Sequence, residues 1–284
     1  MPAKLLFPKI KAVYLRFKSV QSLHMTAGRP TLEILICTIA ERLDCIPSML
    51  MPERNGLRYV ISVQYSTSTT PSLPAPLSLR SDVSVVFFQD NGLSRNRNNA
   101  LSMATGEICL IADDDNLYRP EYIDNILNSW LENPDADILT FQAETYDGAP
   151  LHPYPVPYTC SVEISFRRES IISRGIKFDE RFGLGSPLLC AGEEDVFMAD
   201  ARRAGLVIRF IPKVIVRTDG VTTSVGFTEN KKLQISKGAA FQYIYGTGSA
   251  VWRSLKEAGW YLFHKGANPF PILKNMLKGI WILR

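Results

Sequence analysis

The chain has 284 residues, of which 46% are hydrophobic and 21% charged, and its net charge is +4. This composition is typical of a globular protein with a sizeable core and excludes disorder over most of the chain. No run of 18 apolar residues occurs, and the basic N-terminus lacks the uninterrupted apolar core of a signal peptide. We therefore expect a cytoplasmic protein without a membrane-spanning helix.

The charge is distributed unevenly. Residues 1–32 and 251–284 each carry six basic residues, with no acidic residue in the first segment and one in the second. The part between them holds 20 basic and 27 acidic residues. Because nucleic-acid-binding proteins more often carry positive charge on the folded domain, we expect no nucleic-acid partner.

Cysteine usage indicates a reducing compartment. The chain has an odd number of cysteines and no CxxC pair, with Cys37, Cys45, Cys109, Cys160 and Cys190. This argues against a disulfide framework and against a zinc site. The three histidines, His24, His152 and His264, are scattered and flank no motif, so we expect no catalytic role for them.

The first predicted elements in the chain are strands. Residues 33–39, 57–65 and 83–88 are apolar and rich in β-branched side chains, as buried strands are. Residues 94–106 predict a helix that ends at a glycine. The strand EICLIA, residues 107–112, follows it and leads into three consecutive aspartates.

Helices and strands continue to alternate after the aspartates. Residues 120–132 predict an amphipathic helix with proline at its start. A strand at 136–143, a helix at 195–205 and the strand VIRFI at 207–211 follow. This pattern indicates an α/β fold with a mostly parallel central sheet flanked by helices.

We expect domain boundaries near residues 30 and 230. They separate a basic N-terminal segment (1–30), an α/β domain (31–230) and a C-terminal amphipathic helical extension (231–284). Aromatic residues among lysines in the extension suit a surface of anionic lipid, although a helix packed on the domain would show the same pattern. The sequence thus predicts peripheral contact with the inner face of the cell membrane.

The three aspartates, Asp113, Asp114 and Asp115, follow a predicted buried strand. Ligands bind beyond the carboxyl ends of strands in such folds. Adjacent carboxylates resist ionising together, which indicates a cation between them. Asp113 and Asp115 can reach one Mg²⁺ or Mn²⁺ and leave positions open for a diphosphate. The alternative is a solvated turn that caps the next helix.

Two other polar segments complete the chemistry. The segment SRNRNN, residues 94–99, places arginines at a helix start, where phosphate binds readily, unless it is merely a solvated helix end. Glu193, Glu194 and Asp195 begin another helix, where acidic residues are favourable anyway, but one of them can act as a general base. Together these features predict group transfer from a nucleotide.

Over residues 31–228 the sequence resembles the family-2 glycosyltransferases, which are inverting, nucleotide-sugar-dependent enzymes of the GT-A fold. It looks most like bacterial members that build capsule, exopolysaccharide or lipopolysaccharide. The resemblance is carried by ILICTIAERL, YVISVQ, GLSRNRNNAL, ATGEICLIADDDNLY, SVEISFRRESI, FDERFGLGS and GEEDVF, in this order. It implies a UDP-sugar or related donor, a Mn²⁺ or Mg²⁺ cofactor, and a hydroxyl acceptor on a glycan or a lipid-linked molecule.

The resemblance also implies residues of the nucleotide pocket. Thr38 and Glu41, after the first strand, would line it. Gln64 stands where many members have an aspartate that reads uracil, and its amide can pair with a base edge. Ser94 and Arg97 match the family's small-Arg-Asn segment below the nucleotide.

The aspartates match the family's DxD motif. Asp115 would be the main metal ligand, Asp113 a second ligand, and Asp113 and Asp114 would also contact the nucleotide. For the catalytic base, counting back from RRAG selects Glu194, whereas reading EDV as the family's Glu-Asp pair selects Asp195, and we favour Glu194. No histidine follows late in the sheet as a further metal ligand; Arg217 is near that place and could face the diphosphate.

Two other functions fit less well. A sugar-phosphate nucleotidyltransferase needs a glycine-rich loop after the first strand, and CTIAERLDC has no glycine. A non-catalytic scaffold of the same fold would be expected to lose the motif carboxylates, which are present here. The proline-rich loop YDGAPLHPYPVPY either contacts the acceptor or is a plain surface loop.

Overall fold

The computed structural model describes residues 13–14, 29–152, 159–220 and 226–283. For residues 13–14 it describes the backbone alone. Most of the basic N-terminal segment, including His24, and residues 153–158 of the proline-rich loop lie outside the described residues.

The described strands form one sheet. They are β1 Val13–Tyr14, β2 Leu32–Ile39, β3 Leu57–Tyr65, β4 Val83–Gln89, β5 Ile108–Asp113, β6 Ile138–Thr145, β7 Ile164–Arg167 and β8 Ile208–Thr218. Their spatial order is β1-β4-β3-β2-β5-β7-β6-β8. The pairs β2–β3, β2–β5, β3–β4 and β6–β8 are parallel, whereas β1 and β7 pair antiparallel to their neighbours. The predicted α/β fold with a mostly parallel sheet is confirmed.

Helices connect and cover the strands. They are α1 Ala75–Ser78, α2 Leu93–Met103, α3 Pro120–Glu132, α4 Arg168–Ile172, α5 Glu193–Arg203, α6 Lys231–Tyr245, α7 Thr247–Lys265 and α8 Pro269–Ile282, with 3₁₀ helices at Ala40–Ser48 and Ser161–Glu163. β7 and the 3₁₀ helices were not predicted from the sequence. β7 and the second 3₁₀ helix have only four and three residues, and the first 3₁₀ helix lacks a clear apolar period.

The central strands are buried on both faces because their side chains alternate between two apolar clusters. Ile34 of β2 packs in the same cluster as Trp130 of α3. Its neighbour Leu35 packs in the other cluster, with Leu101 of α2. Removing a side chain of this size from water stabilises the fold by about 1.5–3 kcal/mol. The two helix layers therefore fix the carboxyl ends of β2 and β5 side by side.

The C-terminal helices pack closely on one another. A Cβ atom added to Gly238 of α6 would lie 2.0 Å from the carbonyl oxygen of Met276, and one added to Gly279 of α8 would lie 1.9 Å from that of Ile235. The α6 helix also packs on α5. Just before α5, the backbone N–H of Cys190 donates a hydrogen bond to Ser236 Oγ of α6 at 2.8 Å. The predicted helical extension is confirmed. In the described ranges, no helix combines the length and apolarity needed to cross a membrane.

Candidate active site

The carboxyl ends of three parallel strands meet at one edge of the sheet. The register pairs Cys37 with Asp113, and Ile39 with Gln64. Thr38, Gln64 and the aspartates are therefore brought together, as the sequence predicts for residues that follow adjacent parallel strands.

Arg97 of α2 lies at the centre of this edge and is 2% exposed. It donates hydrogen bonds to Glu193 Oε1 at 2.9 Å, to Asp113 Oδ1 at 3.1 Å and to Ser161 Oγ at 2.8 Å. Its guanidinium carbon lies 5.4 Å from the centre of the Phe178 ring. Burial acts to lower the pKa of Arg97, but the nearby carboxylates, Asp113 first, raise the pKa overall. A permanently charged guanidinium thus links the aspartate motif to the start of α5.

The first two aspartates have fixed positions. The backbone N–H of Asp113 donates to Asn116 Oδ1 at 2.9 Å, which closes a tight turn. Asp114 accepts a hydrogen bond from Thr38 Oγ1 at 2.7 Å and pairs with Arg42 at 2.8 Å. Asp114 therefore belongs to the wall formed by the end of β2, and Asp113 faces Arg97.

Asp115 is the most strongly perturbed of the three aspartates. Burial, followed by the charges of Asp113, Asp219 and Asp114, raises the pKa of Asp115 to about 6. A divalent cation would relieve this repulsion, and carboxylate oxygens are the ligands that Mg²⁺ and Mn²⁺ prefer. The residues present therefore fit such an ion.

Asp219 was not anticipated by the sequence analysis. It follows β8, whose residue Arg217 forms backbone hydrogen bonds of 2.8 and 3.0 Å with Leu117, just after the aspartate motif. The carboxyl end of β8 therefore lies against this turn. An acidic residue directly after a strand could have indicated this position. The strand was predicted to end at residue 211, however, so Asp219 was not recognised as following it. The Arg217 side chain itself pairs with Glu144.

The three acidic side chains at the start of α5 have different surroundings. Glu193 is buried against Arg97. One carboxylate oxygen of Glu194, Oε2, is buried and has no hydrogen-bond partner among the described residues. Burial, followed by the charge of Glu193, raises the pKa of Glu194 well above its ordinary value. Burial also raises the pKa of Asp195, but there the charge of Lys237 on α6 opposes the rise.

Other predicted site residues hold the edge together. Ser94 Oγ donates to the carbonyl of Phe182 at 2.7 Å. Gln64 Nε2 donates to the carbonyl of Gly92 at 3.0 Å, so this amide N–H is bound to the loop before α2. Glu41 is exposed on the first 3₁₀ helix, one turn beyond Thr38.

Comparisons with known proteins agree with this arrangement. A model of Glycosyl transferase family 2 matches residues 43–186, just over half of the 284 residues. No curated protein sequence matches the chain.

Solved structures resemble the whole fold at low sequence identity. S. aureus TarS has a TM-score of 0.53 and 16% identity, over 83% of this chain but only 44% of the TarS chain. TarS 1-349 in complex with UDP-GlcNAc has a TM-score of 0.52 and 13% identity, over 88% of this chain and 90% of the other. The mannosyltransferase PcManGT from Pyrobaculum calidifontis, in complex with GDP-Man and Mn²⁺, has a TM-score of 0.51 and 17% identity, over 90% of this chain and 73% of the other. With the family match, these folds lead to one conclusion: the chain belongs to glycosyl transferase family 2, and it is a glycosyltransferase with the GT-A fold.

Proposed function

We propose that the protein is an inverting enzyme that transfers a sugar from a nucleotide-diphosphate donor to a hydroxyl group of a glycan or lipid-linked acceptor in bacterial surface polysaccharide synthesis. The observation that carries the proposal is the buried Arg97, which binds both Asp113 and Glu193. Because one guanidinium holds both carboxylates, Asp113 of the aspartate motif lies near the start of α5, where the candidate base is.

Asp113 and Asp115 are the proposed metal ligands, and Asp219 is a further candidate ligand. A bound Mn²⁺ or Mg²⁺ would stabilise the negative charge that develops on the departing nucleoside diphosphate. Asp114 is held by Thr38 and Arg42 and is proposed to contact the nucleotide.

Glu194 is the proposed general base. It takes the proton of the acceptor hydroxyl while the hydroxyl oxygen forms a bond to the anomeric carbon. The bond from that carbon to the diphosphate breaks on the opposite face, and its electron pair leaves with the diphosphate. A raised pKa suits a base that must accept a proton near neutral pH. Asp195 is the second candidate, but the Lys237 charge makes it the weaker base.

The donor is proposed to be a UDP-sugar. TarS has been solved with UDP and with UDP-GlcNAc, whereas PcManGT has been solved with GDP-Man and Mn²⁺. Thermal unfolding with UDP, GDP, CMP and dTDP, each with and without Mn²⁺, tests the nucleotide and the metal together. We expect stabilisation by UDP that requires Mn²⁺, of about 2.7 kcal/mol at a hundredfold excess over Kd. No stabilisation by any nucleotide would favour a scaffold of the same fold, and pyrophosphate release from a nucleoside triphosphate would favour a nucleotidyltransferase.

We also propose peripheral contact with an anionic membrane at the inner face of the cell membrane. Trp252 and Phe263, 62% and 84% exposed, lie three turns apart on one face of α7, and Phe270 at the start of α8 is 77% exposed. Aromatic rings among lysines suit the interface of an anionic bilayer. Co-sedimentation with phosphatidylglycerol vesicles should exceed that with phosphatidylcholine vesicles and fall in Trp252→Ala/Phe263→Ala; equal sedimentation with both lipids would contradict the contact.

A further inference from the structure

Three side chains of different chemistry, none of them part of the aspartate motif, converge in the described part of the chain. His152, Cys160 and Glu163 each contribute one ligand atom, and these atoms all lie within 4.8 Å of one another. The ring nitrogen Nε2 of His152 lies 3.1 Å from Glu163 Oε2. Within the described ranges, this is the one group of three potential ligands that converges so closely.

Glu163 is held rigidly in this group. It is 1% exposed, and its two carboxylate oxygens accept hydrogen bonds from different backbone segments. Oε1 accepts from the N–H of Ala143 on β6 at 3.1 Å, and Oε2 accepts from the N–H of Cys160 at 2.9 Å. Backbone donors of this kind orient a carboxylate ligand before a metal binds.

Burial gives the group a reason to hold a cation. Cys160 is 8% exposed, and the side chain of His152 is 14% exposed. A carboxylate removed from water is costly unless positive charge or several donors compensate it, and the two backbone N–H groups supply part of that compensation for Glu163. A metal ion would supply that charge, and it would convert the thiol to a bound thiolate.

We propose that His152, Cys160 and Glu163 bind Zn²⁺, with a fourth position for water. One nitrogen, one sulfur and one oxygen donor suit zinc, whereas Mg²⁺ and Mn²⁺ favour oxygen ligands such as the aspartates of the motif. Zinc bonds of about 2.0–2.3 Å require only a small contraction of the three atoms. The chain would then carry two metal sites of different chemistry.

The position of the site indicates what the zinc does. His152 and Cys160 are eight positions apart in the chain, so one ion would hold these two described residues together. The next residue after Cys160 is Ser161, which accepts the hydrogen bond from Arg97. The zinc would thus hold Cys160 in place and, through the adjacent Ser161, support the hydrogen bond to Arg97.

The odd number of cysteines and the lack of a CxxC pair had indicated that no zinc site is present. The spacing here is His-x₇-Cys-x₂-Glu, with a single cysteine. Only the folding of β6 against β7 and the second 3₁₀ helix brings the ligands together, so the sequence carried no familiar signal.

The test is the metal content of the full chain, purified without chelator or affinity histidines and measured by plasma mass spectrometry. We expect about one zinc ion per chain. Cys160→Ser and His152→Asn should each lower the zinc content at least tenfold. Cys45→Ser and His264→Asn, which change the same residue types elsewhere, should leave it unchanged, as should Asp115→Asn in the aspartate motif.

Cobalt substitution provides a second readout that does not depend on the variants folding. Co²⁺ bound to the wild-type chain should show a sulfur-to-metal charge-transfer band. A wild-type chain that binds no zinc even when zinc is added, or a cobalt spectrum without a sulfur band, would overturn the proposal. Zinc retained at full occupancy by folded Cys160→Ser would overturn it equally.

Discussion

The guanidinium of Arg97 lies 2.9 Å from the carboxylate of Glu193, although the two residues are 96 positions apart in the chain. Both side chains are buried, so neither charge can be solvated if the other is removed. Because the same guanidinium binds Asp113, the pair joins the sheet edge to the start of α5.

Replacing Arg97 should therefore cost more than an ordinary ion pair. Arg97→Ala leaves Glu193 and Asp113 without their cation, and we expect a loss of about 3–5 kcal/mol in the free energy of unfolding. Arg95→Ala is the matched control, since Arg95 is on the same helix and forms a surface pair with Asp90. That change should cost at most about 1 kcal/mol. Urea unfolding of both variants measures the difference; equal losses would show that Arg97 does not have this central role.

The aspartate motif predicts opposite effects on activity and on metal-free stability. Asp115→Asn removes a carboxylate whose pKa is raised by burial and by three neighbouring aspartates, so the metal-free variant should unfold at a higher temperature than the wild type. The same variant should lose the stabilisation that Mn²⁺ and nucleotide together provide. Asp124→Asn, an exposed carboxylate paired with Arg54, is the control and should change neither property. If Asp115→Asn still transferred sugar, Asp115 would be excluded as a metal ligand.

Glu194 predicts the pH dependence of transfer. Its pKa is raised in the folded protein, so the basic form appears only above the ordinary carboxylate range. We expect kcat/KM to rise with pH over that shifted range, and Glu194→Gln to reduce it by about 10²–10⁴-fold at all pH values. Asp195→Asn should keep this rise of kcat/KM with pH. Loss of the rise in Asp195→Asn would assign the base to Asp195.

The raised pKa of Glu194 also predicts an effect on the free energy of unfolding. Glu194→Gln should lower activity but increase stability. A carboxyl group with a raised folded-state pKa disfavours its own ionised form, so folding loses stability as pH rises towards that pKa. Glu194→Gln should therefore be more stable than the wild type at neutral and higher pH, and the two proteins should converge in acid, where Glu194 is protonated in both folded and unfolded states. Urea unfolding midpoints across pH measure this. A variant that is less stable than the wild type at every pH would contradict the burial of the charge.

Local patterns explain how the sequence alone led to the candidate site residues. Asp113 and Asp115 follow a continuous apolar strand, and the strand alone places them at the carboxyl edge of a parallel sheet. Glu194 was favoured as the base by its distance from RRAG, and that assignment stays a prediction; the nearby charge of Lys237 opposes the rise in the pKa of Asp195. These positions depend on spacing within one segment, which a sequence shows directly.

Long-range pairing explains what was missed. The predicted strand VIRFI ended before Pro212, because proline removes a hydrogen-bond donor from a sheet. In the structure β8 continues to Thr218, and its pairing with β6 shifts register between Thr140 and Gln142. That irregularity accommodates the proline and brings Asp219 close enough for its charge to raise the pKa of Asp115. Neither the shift nor the partner strand has a local signal.

The crossing of α6 and α8 predicts opposite outcomes for two glycine substitutions. Gly238→Ala places a methyl group 2.0 Å from a backbone carbonyl that cannot rotate away, so the helices must separate. We expect a loss of about 1–3 kcal/mol or more in the free energy of unfolding. Gly259→Ala on α7 adds the same methyl group where no atom lies within 4 Å. It should raise stability by about 0.5–1 kcal/mol, because alanine loses less backbone entropy in a helix. Thermal and urea unfolding of both variants measure the two signs; destabilisation of similar size in both would show that the backbone contact between α6 and α8 does not hold the extension together.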